Sequence, residues 1–315
     1  MENRLSEAAD GVWRATFPLP LGIDHVHCYL LRSEGDGWTI VDTGLGLPDA
    51  EQRWRAVLAG AGGRVERIVV THFHPDHVGA AAPLAELTGA RVHQGELDYA
   101  QCVRAWGPGR SPERFLAYLR EHGMPAEDAD SMRGEGDRLA AWVRFAPDPE
   151  RLVPGQRIDG WETLHLPGHA DGHLALLRDG ILIAGDALLA TISPNVGLYP
   201  DSHPDPLGDY LESLAKIAEL EPRIAFAGHG PAIDNPAGRA RELIAHHADR
   251  LDETRAALDG QPRTAYDVSL VLFPDPLPRG LRRFALAETR AHLEYLALRA
   301  LARRVEEHER TAYVA

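Results

Sequence analysis

Six consecutive residues, His72-Phe73-His74-Pro75-Asp76-His77, carry three imidazoles and a carboxylate. An apolar run, Ile68-Val69-Val70, precedes them, and an alanine-rich stretch follows behind Pro75 and Asp76. The apolar run predicts a buried strand over 67–71, and the alanine-rich stretch predicts a helix over 78–87. The polar groups then occupy a turn at the carboxyl end of a strand, where α/β proteins place ligands. Side chains two apart on an extended segment project to one side, so His72 and His74 converge on one point. Asp76 and His77, at the helix entrance, reach a second point nearby. Imidazole with carboxylate suits Zn2+, with iron or manganese as alternatives. A solvated polar turn would explain one histidine here, but not three beside an aspartate.

Three more segments set a ligand-type residue among small residues at the end of a predicted strand. They are Leu166-Pro167-Gly168-His169, Ala184-Gly185-Asp186-Ala187 and Gly228-His229-Gly230. Flanking glycines let the backbone approach a crowded site. Each segment alone reads as a loop. In this order behind the first motif, they resemble the metallo-β-lactamase superfamily.

That resemblance implies an α/β fold: an αββα sandwich over 1–235, with a helical insertion at about 95–150. It also implies two metal ions. His72, His74 and His169 would hold the first, Asp76, His77 and His229 the second, and Asp186 would bridge them. Asp42, in the Asp42-Thr43-Gly44 turn after the strand Trp38–Val41, is an expected hydrogen-bond acceptor behind a ligand imidazole. His173 is expected to act in the same way or simply to pack. His25 and His27 form an i, i+2 pair on an early strand and are expected to be structural.

Two dications lower the pKa of a shared water and polarise the oxygen under attack. The expected reaction is therefore hydrolysis by a metal-bridged hydroxide, with Asp76 handling the proton. No Gly-x-Ser-x-Gly elbow offers a protein nucleophile instead. Asp186 stands where one subclass of zinc β-lactamases carries a cysteine, so the set looks like the glyoxalase II, lactonase and nuclease branches. His74 stands where the diiron reductases carry a glutamate. The leading expectation is hydrolysis of a small-molecule thioester, or a related acyl ester or lactone. A metal-dependent ribonuclease and a mononuclear iron persulfide dioxygenase stay open as alternatives. Residues 191–208 form a loop rich in proline, aspartate and serine after Asp186. Tyr199 and His203 in that loop are candidate substrate contacts, Tyr199 as an oxyanion donor.

The rest of the chain must position these groups. Strands are expected at 12–17, 25–31, 38–41, 91–93, 157–158, 162–166, 173–177, 181–183 and 223–227. Amphipathic helices are expected at 48–58 and 207–218. Between 95 and 150 we expect helices at 96–106, 111–122 and 126–143, packed over the site. Tyr99, Trp106, Phe115, Tyr118 and Trp142 there are candidates for an apolar wall or for simple packing. From Pro236 onward three helices and an extended tail suggest a small winged-helix-like domain over 236–315, with a bracing or homodimer role.

Composition narrows the partners. Hydrophobic residues make up 44 % of the 315, enough for a sizeable core. The net charge of −14 disfavours sequence-independent nucleic-acid binding, which needs a basic surface. Cys28 and Cys102 cannot build a thiolate metal site and read as buried free thiols. The acidic, polar N-terminus and the lack of any long apolar stretch lead us to expect a cytoplasmic protein without a membrane span.

Overall fold

The computed structural model describes residues 4–277, 279–308 and 310–315. Met1 to Asn3, Pro278 and Glu309 lie outside, and with them the first residues of the polar N-terminus. Among the described residues the first sheet has seven strands in chain order. They are β1 (Arg4–Ala9), β2 (Val12–Pro18), β3 (His25–Arg32), β4 (Trp38–Val41), β5 (Val65–Val70), β6 (Arg91–Gly95) and β7 (Glu150–Leu152). The first four pair antiparallel, and β4 to β7 pair parallel. The parallel strands are joined through α1 (Ala50–Ala61), α2 (Pro75–Val78), α3 (Ala81–Thr88) and a helical excursion. That excursion comprises α4 (Glu96–Trp106), α5 (Pro112–Glu121), α6 (Ala126–Ser131) and α7 (Arg133–Ala140).

The second sheet contains β8 (Arg157–Ile158), β9 (Trp161–His165), β10 (Leu174–Arg178), β11 (Ile181–Gly185) and β12 (Ile224–Ala227). The helix α8 (Pro206–Leu220) carries the chain from β11 to its parallel neighbour β12. Alternation along the strands decides the layers. Tyr29, Val41 and Val69 of the first sheet meet Trp161, Leu176 and Ile183 of the second in one buried cluster. The alternate positions Leu30, Ile40 and Ile68 face outward against Trp54 of α1, Leu84 of α3 and Cys102 of α4. On the far side, Ala175 and Leu182 pack against Leu207 and Leu214 of α8 and Leu243 of α9 (Pro236–Ala256). The result is the expected four-layer αββα sandwich.

The remaining chain forms β13 (Arg263–Thr264), α10 (Ala265–Leu272), α11 (Arg279–Leu298), β14 (Arg303–Glu307) and β15 (Arg310–Val314). The three strands pair in the order β13-β15-β14. The threonine at 264 caps α10 in a capping box with Asp267. Among the described residues no helix is long and apolar enough to cross a membrane.

Several expectations need correction. The strand β1 was not anticipated: it is an edge strand with a single partner, so its sequence need not look buried. The helix expected over 78–87 breaks at Gly79 and Ala80. Their backbone bonds go to other segments, Ala80 N to Gly44 O at 3.0 Å and Arg144 N to Gly79 O at 2.8 Å. The helix expected over 126–143 is two helices. The excursion does not pack as a unit over the site. The helix α4 is tied to the histidine turn, through Asp98 Oδ1, which accepts from Phe73 N, and Trp106 Nε1, which donates to Phe73 O. Leu116, Tyr118 and Leu119 of α5 and Ala129 of α6 instead share a buried cluster with Val268 of α10, Leu286 and Leu293 of α11 and Tyr313 of β15.

Candidate metal centre

Strand direction gathers the candidate residues at one edge of the sandwich. Asp42 and Thr71 follow β4 and β5, His169 follows β9, Asp186 follows β11, and Gly228-His229 follows β12. Three groups of these side chains have ligand atoms within 4.8 Å of one another. They are His72, His74 and His169; Asp76, His77 and His229; and His72, His77 and Asp186. The first two groups are the two trios named from the sequence. Within the first, His72 Nε2 lies 3.1 Å from His74 Nδ1. Asp186 lies between them: its Oδ2 is 3.8 Å from His169 Nε2, 3.5 Å from His77 Nε2 and 3.3 Å from His229 Nε2. A side chain on Gly228 would collide with Asp186 and the His77 ring, so only glycine lets β12 end this close.

Three buried atoms here, His77 Nε2, His169 Nε2 and Asp186 Oδ1, have no hydrogen-bond partner. An unpaired buried polar atom costs about 1–3 kcal/mol. Three such atoms converging on one place fit divalent cations, whose shell they would complete.

Electrostatics separates the trios. Burial holds His72 well below its ordinary pKa, and neighbouring rings add to the effect. Burial likewise takes His74 down to about 3 and lowers His169. These three rings are neutral, with lone pairs available. For His77 and His229 burial acts in the same direction, but the acids outweigh it. Asp186 and Asp42 hold His77 well above its usual value, and Asp186 and Asp76 raise His229 to about 10. Burial would raise Asp186, yet His229 and His77 hold it well below the carboxylate range.

The other ring nitrogens are held from behind. Asp42 Oδ2 accepts from His77 Nδ1 at 2.8 Å, while its carboxylate also accepts from the Thr71 amide at 2.8 Å and the Thr71 hydroxyl at 2.9 Å. Asp42 is thus a hydrogen-bond acceptor behind the His77 imidazole. His169 Nδ1 donates to Asn195 O at 2.8 Å, and His229 Nδ1 donates to His25 O at 2.7 Å. His173 stacks on His72 with ring centres 4.8 Å apart, and its Nε2 accepts from the Asp186 amide at 3.1 Å. It therefore fixes the backbone of Asp186. His25 and His27 brace the His229 turn through Gly230, at 3.2 and 3.0 Å.

Tyr199 and His203 are engaged otherwise. The Tyr199 hydroxyl donates to Asn195 Oδ1 at 3.2 Å, and the half-exposed His203 pairs with Asp209 at 2.7 Å. Three of the aromatic candidates are tied to backbone carbonyls. Tyr118 OH donates to Leu198 O, Trp106 Nε1 donates to Phe73 O, and Tyr99 OH donates to Pro147 O. Sequence reasoning missed Asp98 on α4. Its Oδ1 accepts from Phe73 N at 2.8 Å, inside the histidine turn, and its Oδ2 accepts from Gln94 Nε2 at 2.6 Å. Burial raises this carboxyl to about 8 despite those two donors. The only sequence signal was the i, i+4 spacing of Gln94 and Asp98.

Residues 21–229 match the family model of the metallo-beta-lactamase superfamily, and residues 251–313 match that of the metallo-beta-lactamase-like C-terminal domain. A crystal structure of a metallo-beta-lactamase family protein from Thermus thermophilus is 37 % identical, with a TM-score of 0.86, over 98 % of this chain and 99 % of that one. A probable metallo-hydrolase of Bacillus subtilis (strain 168) is 28 % identical over 89 % of this chain and 90 % of its own. A hydroxyacylglutathione hydrolase of Methylobacillus flagellatus is 27 % identical over 82 % of this chain and 85 % of its own. The chain belongs to the metallo-β-lactamase superfamily. It is a metal-dependent hydrolase of that superfamily.

Proposed function

We propose that the protein is a dinuclear zinc hydrolase acting on a thioester or a related acyl ester or lactone. The placement of Asp186, whose Oδ2 lies within 3.8 Å of nitrogens from both histidine trios, carries this reading. His72, His74 and His169 hold one cation, Asp76, His77 and His229 hold the other, and Asp186 serves both. Imidazole nitrogens together with carboxylates suit zinc. When bound, such a pair lowers the pKa of water and polarises an acyl carbonyl.

The chain's own residues supply the rest. Asp42, Thr71 and the carbonyls of Asn195 and His25 fix which nitrogen of the His77, His72, His169 and His229 rings faces the centre. Asp76 is the more exposed of the two central acids, 15 % against 9 % for Asp186. Its carboxylate is the group we assign to take up the proton and return it to the leaving sulfur or oxygen. The thioester preference is supported by the relative named a hydroxyacylglutathione hydrolase, because hydroxyacylglutathione is a thioester. We read residues 236–315 as a winged-helix-like unit that braces residues 1–235. The overall charge of −14 supports that role over nucleic-acid binding.

The test is turnover on acyl-glutathione and acyl-coenzyme A panels, beside the His72→Ala variant. We expect metal-dependent turnover that falls by about a thousandfold or more in the variant. No turnover on either panel, with metal-dependent cleavage of single-stranded RNA instead, would overturn the thioester reading.

A further inference from the structure

The loop that orients His169 has no helix or strand of its own from 186 to 205. The carbonyl of Asn195 nevertheless has to stay fixed, because it accepts the His169 Nδ1 hydrogen bond at 2.8 Å. Its position is set from the C-terminal helix α11. Asn195 Nδ2 donates to Glu288 Oε2 at 3.0 Å and, more weakly, to Phe284 O at 3.4 Å. Leu198 N donates to Ala287 O at 3.0 Å, one residue before Glu288 on the same helix. Gly197 lies between these ties. A Cβ there would stand 3.1 Å from that of Ala287 and 2.7 Å from the Tyr199 ring, so a side chain would push the loop off the helix. Farther along, Arg299, just past the end of α11, pairs with Asp205 at 2.9 Å.

The geometry points to Glu288 as a positioning residue for the metal centre. Through Asn195 it holds the carbonyl that aims the His169 ring. The C-terminal helix thereby helps shape one of the two cation sites without touching it. This inference rests on His169 being a metal ligand, as proposed above. Glu288 needs no change of charge to act, since only its acceptor oxygen is used.

The experiment is a zinc titration of chelator-stripped full-length protein against a chromophoric competitor. Wild type is compared with Glu288→Ala, Glu288→Gln, Asn195→Ala and His169→Ala, and each stripped variant is also melted. For Glu288→Ala and Asn195→Ala, one of the two zinc equivalents should weaken about tenfold while the other is unchanged. Glu288→Gln, which keeps an acceptor oxygen, should restore the affinity to nearly wild type. A Glu288→Ala protein that does not fold leaves the same question to Asn195→Ala, which cuts the tie from the loop side. If His169→Ala loses one equivalent while the other variants lose none, the positioning role is wrong and the ligand reading stands. If His169→Ala also keeps both equivalents, the ligand reading itself fails. Equal weakening of both equivalents together with a lowered melt of the stripped Glu288→Ala protein would mark a merely structural contact and overturn the inference.

Discussion

Asp42 accepts from Nδ1 of His77 at 2.8 Å, with both side chains buried, and so turns the opposite nitrogen of that ring towards Asp186. The same carboxylate holds Thr71, whose hydroxyl lies 3.0 Å from His72 Nδ1, so one acid orients histidines of both trios. Removing such partners costs roughly 10–100-fold in metal affinity. Asp42→Ala should show a loss in that range, visible as substoichiometric metal after dialysis. Asp42→Asn, which keeps one acceptor oxygen, should lose less. Full retention of metal by Asp42→Ala would show that the bond is incidental.

Cations would also stabilise the fold, because the unpaired atoms of His77, His169 and Asp186 have no other partner. A ligand present at about a hundred times its dissociation constant adds about 2.7 kcal/mol. Chelation should therefore lower the Tm by about 4 °C for each cation removed. An unchanged Tm with metal loss confirmed by elemental analysis would contradict this.

Asp98 couples the helix α4 to the histidine turn through Phe73 N. Asp98→Ala leaves the Phe73 amide and the buried Gln94 side chain without this partner, at a cost of about 2–3 kcal/mol in denaturant unfolding. Asp98→Asn keeps the acceptor for Phe73 N and should cost under about 1 kcal/mol at pH 7. Equal losses in the two variants would rule out the hydrogen bond as the cause.

A second buried pair gives the protein an acid limit. His247 Nδ1 and His292 Nε2 lie 3.2 Å apart between α9 and α11. Burial, then the partner ring, takes His247 down to about 3. Burial takes His292 down to about 4, against the pull of its bond to the Glu288 carbonyl. Arg250 and His246 also face the pair and act in the same downward direction. The unfolded chain takes up these protons near pH 6.5, and the folded protein does so only near 3 for His247 and near 4 for His292. Between those values the unfolded state binds more protons, so stability falls as pH falls, by about 1.4 kcal/mol per unit for each ring. His292→Gln should flatten the decline in Tm between about pH 6.5 and 4.5 relative to wild type. Parallel curves would remove the pair from the account.

The seven ligand candidates were legible because metal chemistry demands particular residue types and strand ends supply recognisable small flanking residues. The sandwich was legible from alternation, as at Ile68, Val69 and Val70, whose side chains face opposite layers. The residues behind the ligands were less so. Asp42 could be picked out because it ends a strand, but Asn195 acts through its backbone carbonyl, which carries no side-chain signature. Asp98 looks like any acid in the first turn of a helix, and only its burial reveals its role. Tyr199 and His203 were chosen for their place in a loop. Loop sequence does not encode direction, and their polar atoms turn to Asn195 and Asp209.

The central claim is that two cations share Asp186, and metal counting tests it most directly. Elemental analysis of the purified protein, repeated after zinc reconstitution, should give two equivalents per chain. Asp186→Ala should lose at least one equivalent together with hydrolytic activity. A single iron per chain in the active protein, or two equivalents retained without Asp186, would contradict the account.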